Sequence, residues 1–190
     1  MYLFFDTETT GIPRNHKAPA FDLRNWPRLV QLAWVLADDE AHEVASAQYI
    51  VKPDGFTIPV DATRIHGITT DMAMQHGVDL KAVLAAITPD ITQASVLVAH
   101  NITFDEKILG AEFLRAGHSN VVESKARRCT MQEATDYCRL PGRYGYKWPT
   151  LPELHMTLFR TPFEGAHQAL VDVRACARCY FELKRLKVMA

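Results

Sequence analysis

The chain has 190 residues, with 21 lysines and arginines against 22 aspartates and glutamates, which gives a formal net charge of −1. A chain of this length can bury a substantial core, and we expect residues 1–190 to form a single domain. The near-neutral charge excludes the strongly basic surface of proteins that bind nucleic acids mainly through bulk charge. The first apolar run, Tyr2–Phe5, is too short for a signal peptide or a membrane span, which predicts a cytoplasmic protein with no membrane partner.

The first part of the chain predicts three strands joined as a meander. Apolar runs with polar interruptions indicate strands over residues 2–7, 28–36 and 43–51. The segment 12–27 contains three prolines and predicts a surface loop. Its Phe21 and Trp26 either form an exposed stacking surface or anchor the loop in the core, and we favour the core because these residue types are commonly buried.

The rest of the chain predicts mainly helices, with two more strands between them. Helical patterns and terminal signals predict helices over 60–66, 70–76, 80–91, 104–116, 130–138 and 151–159, and strands over 96–99 and 121–128. A long amphipathic helix follows near the end of the chain, with Ala169 and Phe181 on its apolar side. This order predicts an α/β fold.

Two acids stand at the end of the first strand. Asp6 and Glu8 are two residues apart, and side chains alternate along a strand, so both point to the same side. Two neighbouring carboxylates that lose hydration need a compensating partner, and a divalent cation would serve. A solvated strand edge or a helix cap explains the pair equally well when it is taken alone.

Further acids follow the pattern later in the chain. Asp105 comes shortly after the strand predicted over 96–99, and the carboxyl ends of strands in open α/β sheets are where ligands gather. His167 and Asp172 open the terminal helix and lie roughly one and a half turns apart at about 3.6 residues per turn. Such spacing suits a fixed carboxylate ligand beside an imidazole that accepts a proton.

These residues fall into three motifs of a known family. Asp6-Thr-Glu8-Thr-Thr-Gly11, His100-Asn-x-x-Phe-Asp105 and His167-x4-Asp172 resemble the motifs of the DEDDh 3′→5′ exonucleases, which include proofreading exonucleases, oligoribonuclease and ribonuclease T. The segment His66–Thr69 is similar to a further segment of the family. The resemblance spans most of the chain. It implies a ribonuclease H-like α/β fold, with a central mixed five-stranded sheet flanked by helices.

The resemblance also implies a mechanism and a set of site residues. The enzyme would release nucleoside 5′-monophosphates from the 3′ end of single-stranded DNA or RNA, using two Mg²⁺ or Mn²⁺ ions. His167 would act as the general base that takes the proton from the attacking water. The metal ligands, which are also catalytic, would be Asp6, Glu8, Asp105 and Asp172. The 3′-terminal nucleotide would be bound by Thr9, Thr10, Gly11, Asn101 and Phe104.

Several alternatives remain open from the sequence. An oligoribonuclease-like enzyme that acts on short RNA has the same motifs, and a non-catalytic nucleic-acid-binding module associated with a polymerase would keep the fold but tolerate loss of an acid. A polymerase partner and self-association are both open. The segment 139–149 interleaves Tyr144, Tyr146 and Trp148 with Arg143 and Lys147. It is equally well interpreted as a platform for single-stranded bases or as a connector between helices.

Overall fold

The structure, a computed structural model, describes residues 1–163 and 168–189. The main sheet consists of β1 (Tyr2–Thr9), β2 (Leu29–Ala37), β3 (Glu43–Ile50), β4 (Val96–Ala99) and β5 (Ala126–Cys129). A small hairpin consists of β6 (Pro141–Gly142) and β7 (Gly145–Tyr146). The helices are α1 (Val60–His66), α2 (Thr70–His76), α3 (Leu80–Gln93), α4 (Ile102–Arg115), α5 (Thr130–Glu133), α6 (Thr135–Cys138), α7 (Leu151–Phe159) and α8 (Ala169–Arg185). None of the helices in the described ranges combines the length and apolar character that a membrane crossing requires.

The main sheet is mixed, in the order β3-β2-β1-β4-β5. The first three strands pair antiparallel as a meander, and β1, β4 and β5 pair parallel. The predicted meander and the predicted mixed five-stranded sheet flanked by helices are therefore confirmed. Because β1 and β4 run in the same direction, their carboxyl ends meet at one edge of the sheet.

Helices cover both faces of the sheet, and β1 contributes to both cores. Leu3 and Phe5 belong to a core that includes Ile87 of α3 and Ile108 of α4. Phe4, which points the other way, belongs to a core with residues of α8. This alternation is the physical basis for assigning Asp6 and Glu8 to the α8 face and Thr7 to the α4 face.

Some element boundaries differ from the sequence-based expectation. The strand predicted over 121–128 is limited to β5, and residues 121–124 form turns. Val122 packs in the same core as residues of α3 and α4, although it is not in a strand. A sequence pattern shows that such a residue is apolar, but it does not show whether the residue is buried in a strand or in a turn. The helix predicted over 130–138 is divided at Ala134 into α5 and α6. The helix predicted from residue 104 already begins at Ile102, so Asp105 lies within its first turn.

The loop 12–27 is anchored by one of its two large aromatic residues. Trp26 is 3% exposed, and its indole Nε1 donates to the Pro19 carbonyl at 3.0 Å, which confirms the core interpretation for this residue. Phe21 is 75% exposed, so the same expectation is wrong there. The backbone turns at this point, with Asp22 N–H donating to the Pro19 carbonyl, and the turn leaves the Phe21 ring outside the core.

Candidate active site

Strand β1 presents Asp6 and Glu8 on the α8 face of the sheet. In the register with β2 they lie opposite Ala33 and Gln31. The strand continues to Thr9, beyond the predicted end, and its pairing with β2 shifts between Glu8 and Thr9. Both acids line a cavity of about 430 Å³ at this end of the sheet, here called the acidic cavity.

Asp172 reaches the acidic cavity from α8. It lies in the first turn of that helix, and its backbone N–H donates to the Gln168 carbonyl at 3.0 Å. Backbone N–H groups at a helix N-terminus favour a negative charge, which makes the first turn of α8 a suitable location for a carboxylate. The acidic cavity thus contains acids from a strand and from a helix that packs across it.

Asp105 comes from the opposite face of the sheet. It is 3% exposed, and its Oδ1 accepts from both the backbone N–H and the hydroxyl of Thr7, at 3.0 and 2.7 Å. It is not one of the residues that line the acidic cavity. The carboxylate nevertheless acts electrostatically on Asp6, since it lies beside the strand residue between the two β1 acids.

Burial, together with repulsion between neighbouring carboxylates, raises the pKa of Asp6, Glu8 and Asp105. Burial, followed by repulsion from Asp105, Glu8 and Asp172, holds the pKa of Asp6 well above its ordinary value. Burial and then Asp172 raise the pKa of Glu8 to about 7. Burial raises the pKa of Asp105 to about 7, although the two hydrogen bonds from Thr7 oppose the shift. Concentrated negative charge of this kind is relieved by a bound cation.

The donor set fits a hard divalent cation. Carboxylate oxygens are the ligands that Mg²⁺ and Mn²⁺ prefer, and the acids here share a partly buried, water-accessible cavity. Within residues 1–163 and 168–189, no three His, Cys, Asp or Glu side chains already surround one point closely enough to coordinate an ion. The fit therefore rests on charge and donor chemistry, and coordination would draw the repelling carboxylates together.

His100 lines the same cavity but is engaged at both ring nitrogens. Its Nε2 lies 3.0 Å from the Pro149 carbonyl, which accepts, so Nε2 carries the proton and Nδ1 accepts from the Thr130 hydroxyl at 3.0 Å. Burial lowers the pKa of His100 to about 4. His100 is therefore neutral at physiological pH, and it ties the end of β4 to the segment after the hairpin. We predicted no role for His100 from the sequence, although this residue opens the second motif.

The predicted nucleotide-binding residues divide between three places. Asn101 lines the acidic cavity, and Phe104 lines a neighbouring one. Thr9, Thr10 and Gly11 line neither. The Thr9 hydroxyl donates to the Gly11 carbonyl at 2.6 Å, and the Thr10 hydroxyl accepts from Arg28 N–H at 3.0 Å, so both hydroxyls hold the turn after β1.

The segment His66–Thr69 and the predicted general base are the remaining parts of the family resemblance. The segment His66–Thr69 connects α1 to α2, where His66 Nδ1 accepts from Ile68 N–H and the Thr69 hydroxyl caps α2. These contacts support a structural role for the segment. His167, the predicted general base, lies outside the described residues. The nearest described neighbour, Gln168, is the N-cap of α8.

Comparison with known proteins identifies similar sequences over most of the chain. A sequence model of the exonuclease family matches residues 3–180. The chain is 27% identical over 181 residues to DNA polymerase III subunit epsilon of Treponema pallidum (strain Nichols), covering 93% of this chain and 73% of that protein. It is 26% identical over 183 residues to the uncharacterized exonuclease CP81 of Escherichia phage 186, covering 90% of this chain and 82% of that protein.

Solved structures with the same fold include E. coli exonuclease I. Its complex with a dT13 oligonucleotide has a TM-score of 0.76 at 22% identity, covering 98% of this chain and 42% of that chain. Its complex with a dA16 oligonucleotide has a TM-score of 0.74 at 22% identity, with the same coverage. The chain thus spans less than half of exonuclease I, and at this level of identity the likeness shows the fold alone.

Proposed function

The chain belongs to the exonuclease family, in the DEDDh group, and on that premise we propose that it hydrolyses the last phosphodiester bond at the 3′ end of single-stranded DNA or RNA. The attacking water forms a bond to phosphorus while the bond from phosphorus to the 3′ oxygen of the preceding nucleotide breaks. The products are a nucleoside 5′-monophosphate and a strand one nucleotide shorter. The observation that carries the proposal is that acids of β1 and α8 line one cavity, beside the buried acid of α4 that is hydrogen-bonded to β1.

Two Mg²⁺ or Mn²⁺ ions would be held by these acids. Asp6, Glu8 and Asp172 share the acidic cavity and would supply most of the ligands, and Asp105 would support the site from the α4 side. When bound, such ions polarise the scissile phosphate, lower the pKa of the attacking water and stabilise the leaving oxygen. Their charge would also offset the repulsion that raises the carboxyl pKa values.

His167 is proposed as the general base. It lies two residues before the first residue of α8, and Asp172 lies in the first turn of that helix. An unperturbed imidazole has a pKa of about 6.5, which suits proton acceptance near neutral pH. His100, the other imidazole of the motifs, is a poor candidate because its Nε2 donates to Pro149 and its Nδ1 accepts from Thr130.

Single-stranded DNA is the first substrate to test. E. coli exonuclease I, which has this fold, has been solved in complex with dT13 and dA16 oligonucleotides. These complexes support single-stranded DNA as the substrate class of the present chain. The similarity to a subunit of DNA polymerase III supports an association with a polymerase as a further proposal. A non-catalytic module is not favoured, because all four acids and His167 are retained.

The test uses oligonucleotides labelled at the 5′ end, as single-stranded DNA and as RNA, with Mg²⁺ or with EDTA. The expected result is a ladder that shortens from the 3′ end and disappears with EDTA or with Asp6→Asn. The control is Asp61→Asn, since Asp61 is exposed and, within the part of the chain that the structure describes, its ion pair is with Arg64 of the same helix. Digestion from the 5′ end, or full activity in Asp6→Asn, would overturn the proposal.

A further inference from the structure

We propose that Trp148 forms a stacking subsite for the nucleotide next to the 3′-terminal one. Phe104, which the resemblance assigned to the 3′-terminal nucleotide, lines the same cavity as Trp148 and would contact this second nucleotide instead. The inference rests on the proposed function, since it assigns a second position to the same bound strand. A cavity of about 430 Å³ lies beside the acidic cavity and is here called the aromatic cavity. Trp148 and Asn101 line both cavities. A strand whose terminal nucleotide occupies the acidic cavity would therefore place its next nucleotide in the aromatic cavity.

Trp148 is exposed but held in position. Its side chain is 60% exposed, so packing in the core does not account for it. The following residue, Pro149, is fixed through its carbonyl by His100 Nε2, and Thr150 begins α7 with a reciprocal cap involving Glu153. On the other side, Lys147 N–H donates to the Leu140 carbonyl at 2.9 Å and closes the β6–β7 hairpin. Because the backbone is fixed on both sides of Trp148, binding needs to restrict the side-chain torsions but not the position of the loop.

The chemistry of the aromatic cavity suits a single-stranded nucleotide. The rings of Trp148 and Phe104 line it, and bases of any sequence can stack on such rings. Lys17 also lines it and, within the described residues, makes no salt bridge, so its ammonium can contact a phosphate. Gln132 and Asn101 add amide groups that donate and accept hydrogen bonds. Aromatic rings beside one cation and two amides match a nucleotide better than an apolar peptide.

The occupant is a nucleotide of the substrate strand because the two cavities are neighbours that share Asn101 and Trp148 in their linings. A separate small ligand would not need the shared wall formed by Asn101 and Trp148. The backbone of Asn101 has φ at 82°, an unusual conformation for a residue other than glycine. A conformation of this kind is maintained when contacts with the surrounding structure enforce it. The Asn101 backbone therefore provides a fixed boundary between the terminal nucleotide and the next.

The test compares kcat/KM for three substrates of increasing length. The methyl ester of thymidine 5′-monophosphate offers one nucleotide and no ring for the second position, dithymidylate offers two nucleotides and decathymidylate offers ten. The first readout is kcat/KM for dithymidylate divided by kcat/KM for the ester. Trp148→Ala is expected to lower this ratio by about tenfold, which is the order of one lost stacking contact. The ratio of decathymidylate to dithymidylate should not fall further. Trp148→Phe should recover most of the loss because it keeps a stacking ring.

Phe21→Ala is the matched control, since Phe21 is an exposed aromatic residue that lines neither cavity. It should leave both ratios at the wild-type values. Equal losses on the ester and dithymidylate, or a loss confined to decathymidylate, would overturn the assignment to the second nucleotide.

Binding without cleavage separates this inference from the proposed function. Fluorescence anisotropy with labelled decathymidylate in EDTA should give a Kd about tenfold weaker for Trp148→Ala than for the wild type. A wild type that binds through Trp148 but cleaves none of the substrates would overturn the proposed function and retain the subsite. A wild type that cleaves, with a Kd and ratios unaffected by Trp148→Ala, would overturn the subsite and retain the function.

Discussion

Asp105 on α4 accepts two hydrogen bonds through one oxygen from Thr7 on β1, at 3.0 Å from the backbone nitrogen and 2.7 Å from the hydroxyl. Thr7 stands between Asp6 and Glu8 in the sequence, but its side chain points to the opposite face of the sheet. The contact thus attaches the acid of α4 to the strand that carries two other acids. It fixes one oxygen of Asp105 and orients the remaining one.

Thr7→Val is expected to lower kcat/KM on single-stranded DNA by about 10- to 100-fold, the range found when a partner that orients a metal ligand is removed. The variant keeps the volume and the backbone N–H but removes the hydroxyl that donates to Asp105. Because this hydrogen bond lowers the pKa of Asp105, its loss raises that pKa further, and a higher Mg²⁺ concentration should be needed for half-maximal activity. Activity titrated with Mg²⁺ measures both effects.

Thr88→Val is the matched control for this change. The Thr88 hydroxyl donates to the Leu84 carbonyl within α3 and has no contact with the acids. Its kcat/KM and Mg²⁺ requirement should equal those of the wild type. An unaltered Mg²⁺ requirement in Thr7→Val would show that Asp105 is oriented by other groups.

Without divalent ions, the folded protein should lose stability as the pH rises from about 4 to about 7. The pKa values of Glu8 and Asp105 are about 7 in the folded state, above the unfolded values near 4. The folded state therefore holds these protons more tightly, and the stability this contributes is present below pH 4 and is lost as the pH rises through 7. The Tm in EDTA should fall over this window.

Mg²⁺ should restore stability most strongly at the upper end of the same window. A bound cation favours the ionised carboxylates, so the difference in Tm between Mg²⁺ and EDTA should increase with pH. Glu8→Gln removes one of the titrating groups and should flatten the dependence in EDTA. A Tm that rises with pH in EDTA, or a Mg²⁺ effect that is the same at pH 5 and pH 8, would contradict this electrostatic account.

His167→Ala is expected to reduce kcat by about 10²- to 10⁴-fold, the usual contribution of a general base. Mn²⁺ affinity, measured by electron paramagnetic resonance, should change little because the proposed ligands are carboxylates. His76→Ala provides the comparison, since His76 lies at the end of α2 away from both cavities. Wild-type turnover in His167→Ala would require another group to accept the proton.

A buried ion-pair network supports the loop that follows β1. Glu112 is 1% exposed in its side chain, and its Oε1 accepts from Arg28 Nε at 3.0 Å, Leu29 N–H at 3.0 Å and Arg115 Nη1 at 2.8 Å. Arg115 in turn donates to the carbonyls of Leu23 and Trp26. This network attaches the loop to α4, the helix that carries Asp105.

Glu112→Ala should lower the free energy of unfolding by about 3 kcal/mol, because it leaves two partly buried guanidinium groups without their anion and the buried Leu29 N–H without its acceptor. Urea unfolding followed by circular dichroism measures the change. The comparison is Asp61→Ala, which removes an exposed ion pair and should cost no more than about 0.5 kcal/mol. Similar losses in the two variants would show that burial does not strengthen the Glu112 network.

The sequence predicted most of the elements because these depend on local patterns, and the resemblance carried by the three motifs predicted the family and the mixed sheet. Alternation along β1 places Asp6 and Glu8 on one side, as the sequence predicted. The predicted strand over 121–128 failed because Val122 is buried for packing rather than for pairing. An apolar pattern alone does not distinguish these cases.

The contacts that orient the site lay beyond the sequence because they join distant residues. Thr7 and Asp105 are 98 positions apart, and His100 and Pro149 are 49 apart. No periodicity relates them, and each depends on how a helix or a loop packs at the edge of the sheet. The motifs identified Asp105 and His100 but did not indicate which residues hold them. The catalytic role of His167 stays a prediction.

Divalent-ion binding by the acids of β1 and α8 is tested most directly by an anomalous scattering map from crystals soaked in Mn²⁺. We expect anomalous density in the acidic cavity, within coordination distance of carboxylate oxygens of Asp6, Glu8 and Asp172, with Asp105 adjacent. Mn²⁺ bound elsewhere, or an empty acidic cavity in crystals of protein that degrades single-stranded DNA under the same Mn²⁺ concentration, would contradict it.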